Sequence, residues 1–365
     1  MKIDFIKRAL YIALVTAGLL LSLQLLFAGM TKTDWHDFDV FYGAAKSALA
    51  GKSIYATSGK YNLPFWYFPW TAWLFFPFAL FSHELALILY KITSVICAIL
   101  IVEYLIRHYN PNFAFWDKVL IYALIIPMSL LVMNVGQMEY LLLGLIVITM
   151  SAIDEKKYWI AGMLFPFLWT KPHLLIIFTL FAFWRAGKIT ILTSGVLSIL
   201  FLIIETALNP NWYLEMLNLL QLGQQRTDGL KFTTLPSLLG SQENWVGTAN
   251  LPFTFMLIIL AILIVWKFRS LPTLPMLSLA LTASLFCAPR AYGYDLPMLI
   301  PSMIWLTVDR FKYTFWVWLI AGLFPFFTKF YPSTYLVTLF VFLLSILKAY
   351  KDTSKPENIR ELPTT

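Results

Sequence analysis

Charged residues are scarce in this sequence. Only 13% of the 365 residues are Asp, Glu, Lys or Arg, whereas roughly a quarter are charged in a typical soluble domain. Hydrophobic residues make up 60% of the chain, and the mean hydropathy is +0.74. This composition excludes a soluble globular protein. It predicts an all-α polytopic membrane protein, because a helix satisfies its own backbone hydrogen bonds in lipid.

Cysteine and histidine are also rare. Cys97 and Cys287 both lie in apolar stretches, which indicates membrane-embedded thiols rather than a disulfide framework. No other histidine stands near His173 in the sequence, so residue spacing gives no support to a metal site. The chain has no GxxxxGK[ST], GxGxxG or GxSxG motif. The sequence therefore demands no cofactor or metal and gives no support to ATP or a nucleotide sugar as a substrate.

The net charge of +8 does not indicate a nucleic-acid partner. The basic residues fall in short clusters between apolar runs, which is the pattern of cytoplasmic loops in membrane proteins. Membrane lipids are therefore the expected surroundings of the chain.

Apolar runs recur along the whole chain. The first, residues 9–29, is longer than the apolar region of a usual signal peptide and is followed by further spans, so we expect a retained helix. The later runs lie at residues 64–81, 84–106, 115–133, 137–153, 158–170, 172–185, 188–207, 252–267, 272–288, 295–308, 312–328 and 334–349. If segment 64–81, which contains three prolines, does not cross fully, about 12 (11–13) transmembrane helices result.

The basic clusters set the expected sidedness. Placing them in the cytoplasm puts residues 30–63, residues 208–250 and the polar breaks near Gly136, Lys171 and Arg290 outside. In a second scheme, segment 64–81 crosses and the break at 170–172 is only a kink. That scheme puts the two lysines at 156 and 157 outside, so the positive-inside rule favours the first.

The spans predict one transmembrane domain, residues 1–350, with outer loops at 30–63 and 208–250. The sequence that begins at Lys348, KAYKDTSKPENIRELPTT, is charged and is expected to be disordered. We assign residues 351–365 to a cytoplasmic tail.

The first outer loop is rich in acidic residues, since Asp34, Asp37 and Asp39 lie within six residues. Apolar side chains then follow at helical spacing: Phe38, Phe41, Tyr42, Ala45 and Leu49. Gly51 is a plausible helix end. This pattern predicts a short amphipathic helix on the membrane surface, with carboxylates at the N-terminus where the helix dipole favours negative charge. The alternative is a solvated loop with helix-capping aspartates.

Polar residues also interrupt the later apolar runs. Gln137 and Glu139 follow Gly136 in a short turn, and Lys171 and His173 flank a proline. Charged groups at membrane depth usually line a cavity, which makes them functional candidates. The alternatives are an ordinary helix connection for the turn, a lysine that snorkels to the interface and a histidine that only packs.

The segment FCAPRAYGYDLPML places Arg290 within a few residues of Tyr292, Tyr294 and Asp295. A planar guanidinium suits phosphate binding. The alternative is a structural ion pair between Arg290 and Asp295. Arg226, in the second outer loop, is either a substrate contact or a solvated charge.

Two stretches carry a family resemblance. DFDVFYGAAKSALAGKSIY, followed by FWYFPWTAWLFFPF, resembles the integral-membrane glycosyltransferases of the C superfamily, and is most similar to glycosyltransferase family 87, whose members use polyprenyl-phosphate sugars. The matching positions are Asp37, Phe38, Val40, Phe41, Ala44, Ala45, Gly51, Tyr55, Tyr67, Pro69 and Pro77. The Gly136–Gln137 and Lys171–Pro172 pairs follow in the family's order, and the resemblance covers about residues 9–300. The chain departs from the family near Arg290, where the family often has Ser-Pro, then Trp and histidines.

The resemblance implies a GT-C-type fold and a cell-membrane enzyme whose active site faces the extracytoplasmic side. Such an enzyme moves a hexose, here expected to be mannose, from a polyprenyl-phosphate sugar to a lipid or glycan acceptor with inversion. Asp37 matches the catalytic acid of the family and is the expected general base. Asp39, which occupies a variable position two residues later, is the second candidate catalytic residue.

The other expected site residues fall into two groups. The first would bind the donor phosphate: Lys171, Arg290 and Tyr294. The second would contact the substrates: Gln137, Glu139, His173, Tyr42, Tyr67, Arg226 and Asp295.

Two other functions use similar features. A transporter or flippase of lipid-linked sugars often has internal repeats with matching broken helices, but the acid-rich loop occurs here only once. A polysaccharide polymerase or ligase also uses lipid-linked sugars, and would depend on arginine and histidine more than on an aspartate of the first loop.

Overall fold

The computed structural model describes residues 36–55, 63–109, 113, 115–225, 250–289, 291–308 and 332–354. Within these ranges the regular structure is entirely helical, which confirms the all-α prediction. The α-helices are α1 His36–Leu49, α2 Pro69–Trp73, α3 Phe76–Ala79, α4 His83–Tyr109, α5 Phe115–Val135, α6 Glu139–Asp154, α7 Tyr158–Leu168, α8 Ile176–Ala186, α9 Lys188–Leu208, α10 Trp212–Gln225, α11 Asn250–Lys267, α12 Thr273–Cys287, α13 Ile300–Thr307 and α14 Pro332–Thr353. Two 3-10 helices, Pro172–Leu174 and Gly293–Leu299, interrupt the series.

Among the described helices, α4 and α9 are long and apolar enough to cross a membrane. Helix α9 leaves large apolar side chains exposed along its length, including Leu192, Val196 and Ile203. An exposed apolar surface of this kind is typical of contact with lipid, because water would not solvate it favourably.

The break at residues 170–172 reverses the chain. The hydroxyl of Thr190, at the start of α9, donates to the carbonyl of Tyr158 at the start of α7 (2.9 Å). The rings of Phe167 and Phe201 lie 5.3 Å apart, so α7 and α9 run side by side in the same direction. Helix α8 ends where α9 begins and therefore runs back past α7. This geometry excludes the simple kink of the second topological scheme.

Helices α7 and α8 are shorter than the predicted spans 158–170 and 172–185. Each has 11 residues and a length of about 16 Å, whereas the hydrocarbon core is about 30 Å thick. As regular helices, both segments are therefore shorter than the apolar runs that predict them. Hydropathy overestimates both lengths because the residues around the break are themselves apolar.

Segment 64–81 forms only two short helices, α2 and α3, and both have a proline in the first turn. It contains no helix long enough to cross a membrane, which agrees with the first topological scheme. The indole of Trp70 donates to the carbonyl of Pro166 (2.8 Å), and the hydroxyls of Thr71 and Thr170 are 3.0 Å apart. These contacts hold the segment against the break between α7 and α8.

Two late segments differ from the expectations. The run 295–308 is not one regular helix, because the 3-10 helix Gly293–Leu299 precedes the short α13 and both contain a proline. Helix α14 continues to Thr353, so the prediction of disorder from Lys348 onward is wrong for its first residues. Lys348 is buried and its ammonium pairs with Asp352 one turn later (3.2 Å), which stabilises the helix end.

Helix α1 confirms the predicted amphipathic helix. Phe38, Phe41 and Ala45 are buried, while Leu49, at the C-terminal end, is exposed. Gly51 follows the helix with φ of +66°, the left-handed conformation that glycine adopts without steric cost. The buried face of α1 belongs to an apolar cluster that also contains Phe75, Tyr90, Met138 and Trp212. This cluster lies apart from the main core, which is formed mainly by the helices from α4 to α8 and from α11 to α14.

Candidate active site

Three ionisable side chains from separate parts of the chain meet inside the protein. The ammonium of Lys171 contacts a carboxylate oxygen of Asp295 at 2.9 Å and also contacts Glu139. Lys171, Glu139 and Asp295 are only 4%, 0% and 1% exposed. We call these three residues the Lys171 cluster. Charges buried to this extent are costly unless they are paired and hydrogen-bonded, so these contacts determine the local structure.

Each member of the Lys171 cluster is placed by an interruption in helical structure. Glu139 is the first residue of α6, and Lys171 lies just before the 3-10 helix Pro172–Leu174. Asp295 lies in the first turn of the second 3-10 helix, where its carboxylate accepts the backbone N–H of Tyr292 (2.7 Å). The ring of Tyr294 covers the ammonium of Lys171, with 4.9 Å from Nζ to the ring centre, a distance suited to a cation–π contact.

Asp37 is held beside this cluster. The side-chain amide of Gln137 donates to the carboxylate of Asp37 (2.5 Å), and Gln137 precedes Glu139 by two residues. The hydroxyl of Tyr90 donates to the backbone carbonyl of Gln137 (2.5 Å), which fixes the turn between α5 and α6. Tyr67 lies near both groups, since the charges of Lys171 and Asp37 act on its phenol hydroxyl. The predicted residues Asp37, Tyr67, Gln137, Glu139, Lys171, Tyr294 and Asp295 therefore form one site.

The charge balance of this site is negative. Asp37, Glu139 and Asp295 supply three carboxylates, and Lys171 supplies one ammonium, which gives a net charge of −2 when all four are ionised. Within the described part of the chain, no group of three His, Cys, Asp or Glu side chains is arranged to hold a metal ion.

Asp39 and Tyr42 are engaged elsewhere. The carboxylate of Asp39 lies 2.6 Å from the imidazole of His83, and the hydroxyl of Tyr42 donates to the carbonyl of Phe81 (2.9 Å). Both contacts join α1 to the start of α4. His173 is half-buried in the 3-10 helix after Lys171. Among the remaining expected residues, Asp34, Arg226 and Arg290 lie outside the described residues.

The first outer loop contacts the segment after α9. The hydroxyl of Ser53 donates to Glu215 of α10 (2.6 Å), and the side-chain amide of Asn209 donates to the same carboxylate oxygen (3.0 Å). Burial raises the pKa of Tyr55, and the nearby carboxylates of Glu205 and Glu215 raise it further. The phenol therefore remains a donor, and it bonds the carbonyl of Tyr67 (3.1 Å). These contacts bring the two predicted outer loops together at Ser53 and Glu215.

Sequence reasoning did not find Tyr90 or the contact between Ser53 and Glu215. Tyr90 lies within an apolar helix, where an aromatic residue usually indicates packing. A phenol within an apolar helix needs a hydrogen-bond acceptor when it is buried, and this need was the signal that could have identified Tyr90. Ser53 and Glu215 are 162 residues apart in the chain, and nothing in their local sequence links them.

The described chain is helical, two of its helices are long and apolar enough to cross a membrane, and comparison with known families gives its class as a membrane glycosyltransferase. The model of glycosyltransferase family 87 matches residues 65–289, more than half of the chain, and the chain therefore belongs to that family. The matched region includes Tyr67, Gln137, Glu139 and Lys171 but not Asp37 or Asp295. No curated protein and no solved structure matches the chain.

Proposed function

We propose that this glycosyltransferase moves a hexose, which we take to be mannose, from a polyprenyl-phosphate sugar to a hydroxyl group of a lipid or glycan acceptor. The transfer inverts the configuration at the anomeric carbon. The observation that carries the proposal is the carboxylate of Asp37, held by Gln137 beside the buried Lys171 cluster. A carboxylate at this position suits general-base chemistry, since its place next to other charged groups is fixed by hydrogen bonds.

In the proposed reaction, Asp37 accepts the proton of the acceptor hydroxyl. The hydroxyl oxygen forms a bond to the anomeric carbon, while the bond from that carbon to the phosphate oxygen breaks and polyprenyl phosphate leaves. General-base catalysis of this kind contributes about 10²- to 10⁴-fold to the rate. The amide of Gln137 orients the carboxylate, because it donates a hydrogen bond to it.

The leaving phosphate develops negative charge and requires a nearby cation. We propose Arg290 for this role, with Tyr294 as a further phosphate contact, because a guanidinium binds phosphate oxygens through two parallel hydrogen bonds. Lys171 is the less suitable of the two expected cations, since its ammonium already contacts two carboxylates. Its primary role in this proposal is to orient Glu139 and Asp295.

The remaining expected residues have supporting roles in the proposal. Tyr67, half-buried beside Asp37, would line the substrate groove, and His173 and Arg226 are further candidates for substrate contacts. Asp39 and Tyr42 would act indirectly, because their contacts position α1 and therefore Asp37. No metal or other cofactor enters the mechanism.

We further propose a multi-pass protein of the cell membrane with about 12 helices, a GT-C-type fold and an active site on the extracytoplasmic side. The basic clusters support this orientation through the positive-inside rule. The contact between Ser53 and Glu215 adds support, because both residues belong to segments that this orientation puts on the same side.

Label transfer tests the proposed function. Purified protein is incubated with polyprenyl-phosphate mannose labelled in the sugar and with a lipid extract that supplies acceptors. The expected result is a labelled lipid or glycan product. Movement of the donor across a vesicle membrane without transfer would overturn the proposal in favour of a flippase.

A further inference from the structure

We propose that the turn from Gln137 to Glu139 binds the hydroxyl groups of the transferred sugar, and that the donor phosphate lies outside the Lys171 cluster. This inference rests on the proposed function and divides its site into two parts. The sugar part is acidic and accepts hydrogen bonds, whereas the phosphate part depends on Arg290, as proposed above.

The first observation concerns the side chain of Gln137, which is 4% exposed. Its amide nitrogen donates to Asp37, and this contact fixes which end of the amide group is the acceptor. The oxygen at the other end is buried and has no hydrogen-bond partner among the described residues. Buried acceptors are rarely left without a donor, so this oxygen indicates a place for a donor from a ligand.

The second observation concerns Glu139, which is fully buried. One carboxylate oxygen contacts the ammonium of Lys171. The other oxygen is buried and lacks a partner within the described part of the chain. Because Gln137 and Glu139 are two residues apart on one turn, the protein presents two unsatisfied acceptors close to each other and to Asp37.

The chemistry of the ligand follows from these acceptors. A sugar hydroxyl donates a hydrogen bond and carries no charge, so it satisfies such an oxygen without adding charge to an acidic site. An ionised phosphate offers only acceptor oxygens, so it cannot satisfy these two acceptors, and the carboxylates of Asp37 and Asp295 close by would repel it. The turn therefore suits the sugar and not the phosphate. A sugar bound there would lie next to Asp37, as the proposed reaction requires.

Both acceptor oxygens are covered by protein. Sugar binding therefore includes a movement of neighbouring side chains, and the measured affinity reports both the movement and the new hydrogen bonds. The half-buried ring of Tyr67 is one of the side chains near this site.

Two lipids that differ only in the sugar separate the two parts of the site. We would measure the binding of polyprenyl-phosphate mannose and of bare polyprenyl phosphate to the wild type, to Glu139→Gln and to Gln137→Leu. Glu139→Gln keeps the volume but puts an amide in place of the carboxylate, and Gln137→Leu removes the acceptor. Glu103→Gln is the matched control, because Glu103 pairs with Arg107 on α4, away from the site.

The expected result is a loss of about 10-fold or more in affinity for the mannosyl lipid in both site variants, as for a lost hydrogen bond. Their affinity for bare polyprenyl phosphate should stay as in the Glu103→Gln control. Equal losses for both lipids, or no loss for either, in variants that keep the thermal stability of the control would overturn the inference. A wild type that binds neither lipid would instead overturn the proposed donor.

Discussion

Replacement of Lys171 by methionine would leave two buried carboxylates without their shared cation. At a separation of 2.9 Å and an effective dielectric constant of about 20, the attraction between Lys171 and Asp295 is roughly 6 kcal/mol. The cost of removing the ammonium from water offsets part of this attraction. Deletion of one partner from a buried ion pair therefore costs about 3 to 5 kcal/mol. A native protein has a stability of only about 5 to 15 kcal/mol, so Lys171→Met should be severely destabilised.

Thermal unfolding of the purified protein in detergent measures this effect. The control is Lys157→Met, because the pair of Lys157 with Glu155 is exposed and such pairs contribute about 1 kcal/mol or less. A triple variant, Lys171→Met with Glu139→Gln and Asp295→Asn, should recover most of the lost stability, since no buried charge remains unpaired. The reasoning is refuted if Lys171→Met unfolds like the control, or if the triple variant is no more stable than Lys171→Met.

Three further predictions concern other parts of the chain. Asp39→Asn and His83→Gln remove the same contact, so each single variant should lose about 1 kcal/mol of stability in thermal unfolding and the double variant little more. Fully additive losses in the double variant would contradict the pairing. Lys52 is exposed, so Lys52→Cys, in a background without the native cysteines, should react with a membrane-impermeant reagent on whole cells. Reaction only after lysis would show that the proposed orientation is reversed. Gly162→Ala should destabilise the protein by about 1 to 3 kcal/mol, because the new Cβ would lie 2.7 Å from the carbonyl of residue 190. The control, Gly144→Ala, should be tolerated, because its Cβ meets only a side-chain carbon at 3.8 Å. Similar Tm values for the two variants would show that α7 and α9 are not packed so closely.

Local features of the fold were predictable from the sequence. The spacing of Phe38, Phe41 and Ala45 defines one face of a helix, and the structure buries that face. The break at Lys171 was predictable because Pro172 lacks the backbone N–H that continues a helix. The short helices of segment 64–81 follow from its prolines for the same reason.

The partners within the site were not predictable. Lys171 is 32 residues from Glu139 and 124 residues from Asp295, and a single sequence carries no signal for contacts at such separations. Its position in the sequence suggests Arg290 as the partner of Asp295, yet the described contacts of Asp295 are with Lys171 and the backbone of Tyr292. The reversal of direction at residues 170–172 was also ambiguous, because hydropathy gives the same apolar run for a kink and for a hairpin.

A single-turnover transfer assay with Asp37→Asn tests the central claim most directly. The assay uses polyprenyl-phosphate mannose labelled in the sugar, and Asp39→Asn is the matched control from the same turn of α1. With Asp37 as the general base, Asp37→Asn should slow transfer by about 10²- to 10⁴-fold while its affinity for the donor stays unchanged, and Asp39→Asn should slow transfer much less, because Asp39 acts only through the position of α1. An active Asp37→Asn together with an inactive Asp39→Asn would contradict the account.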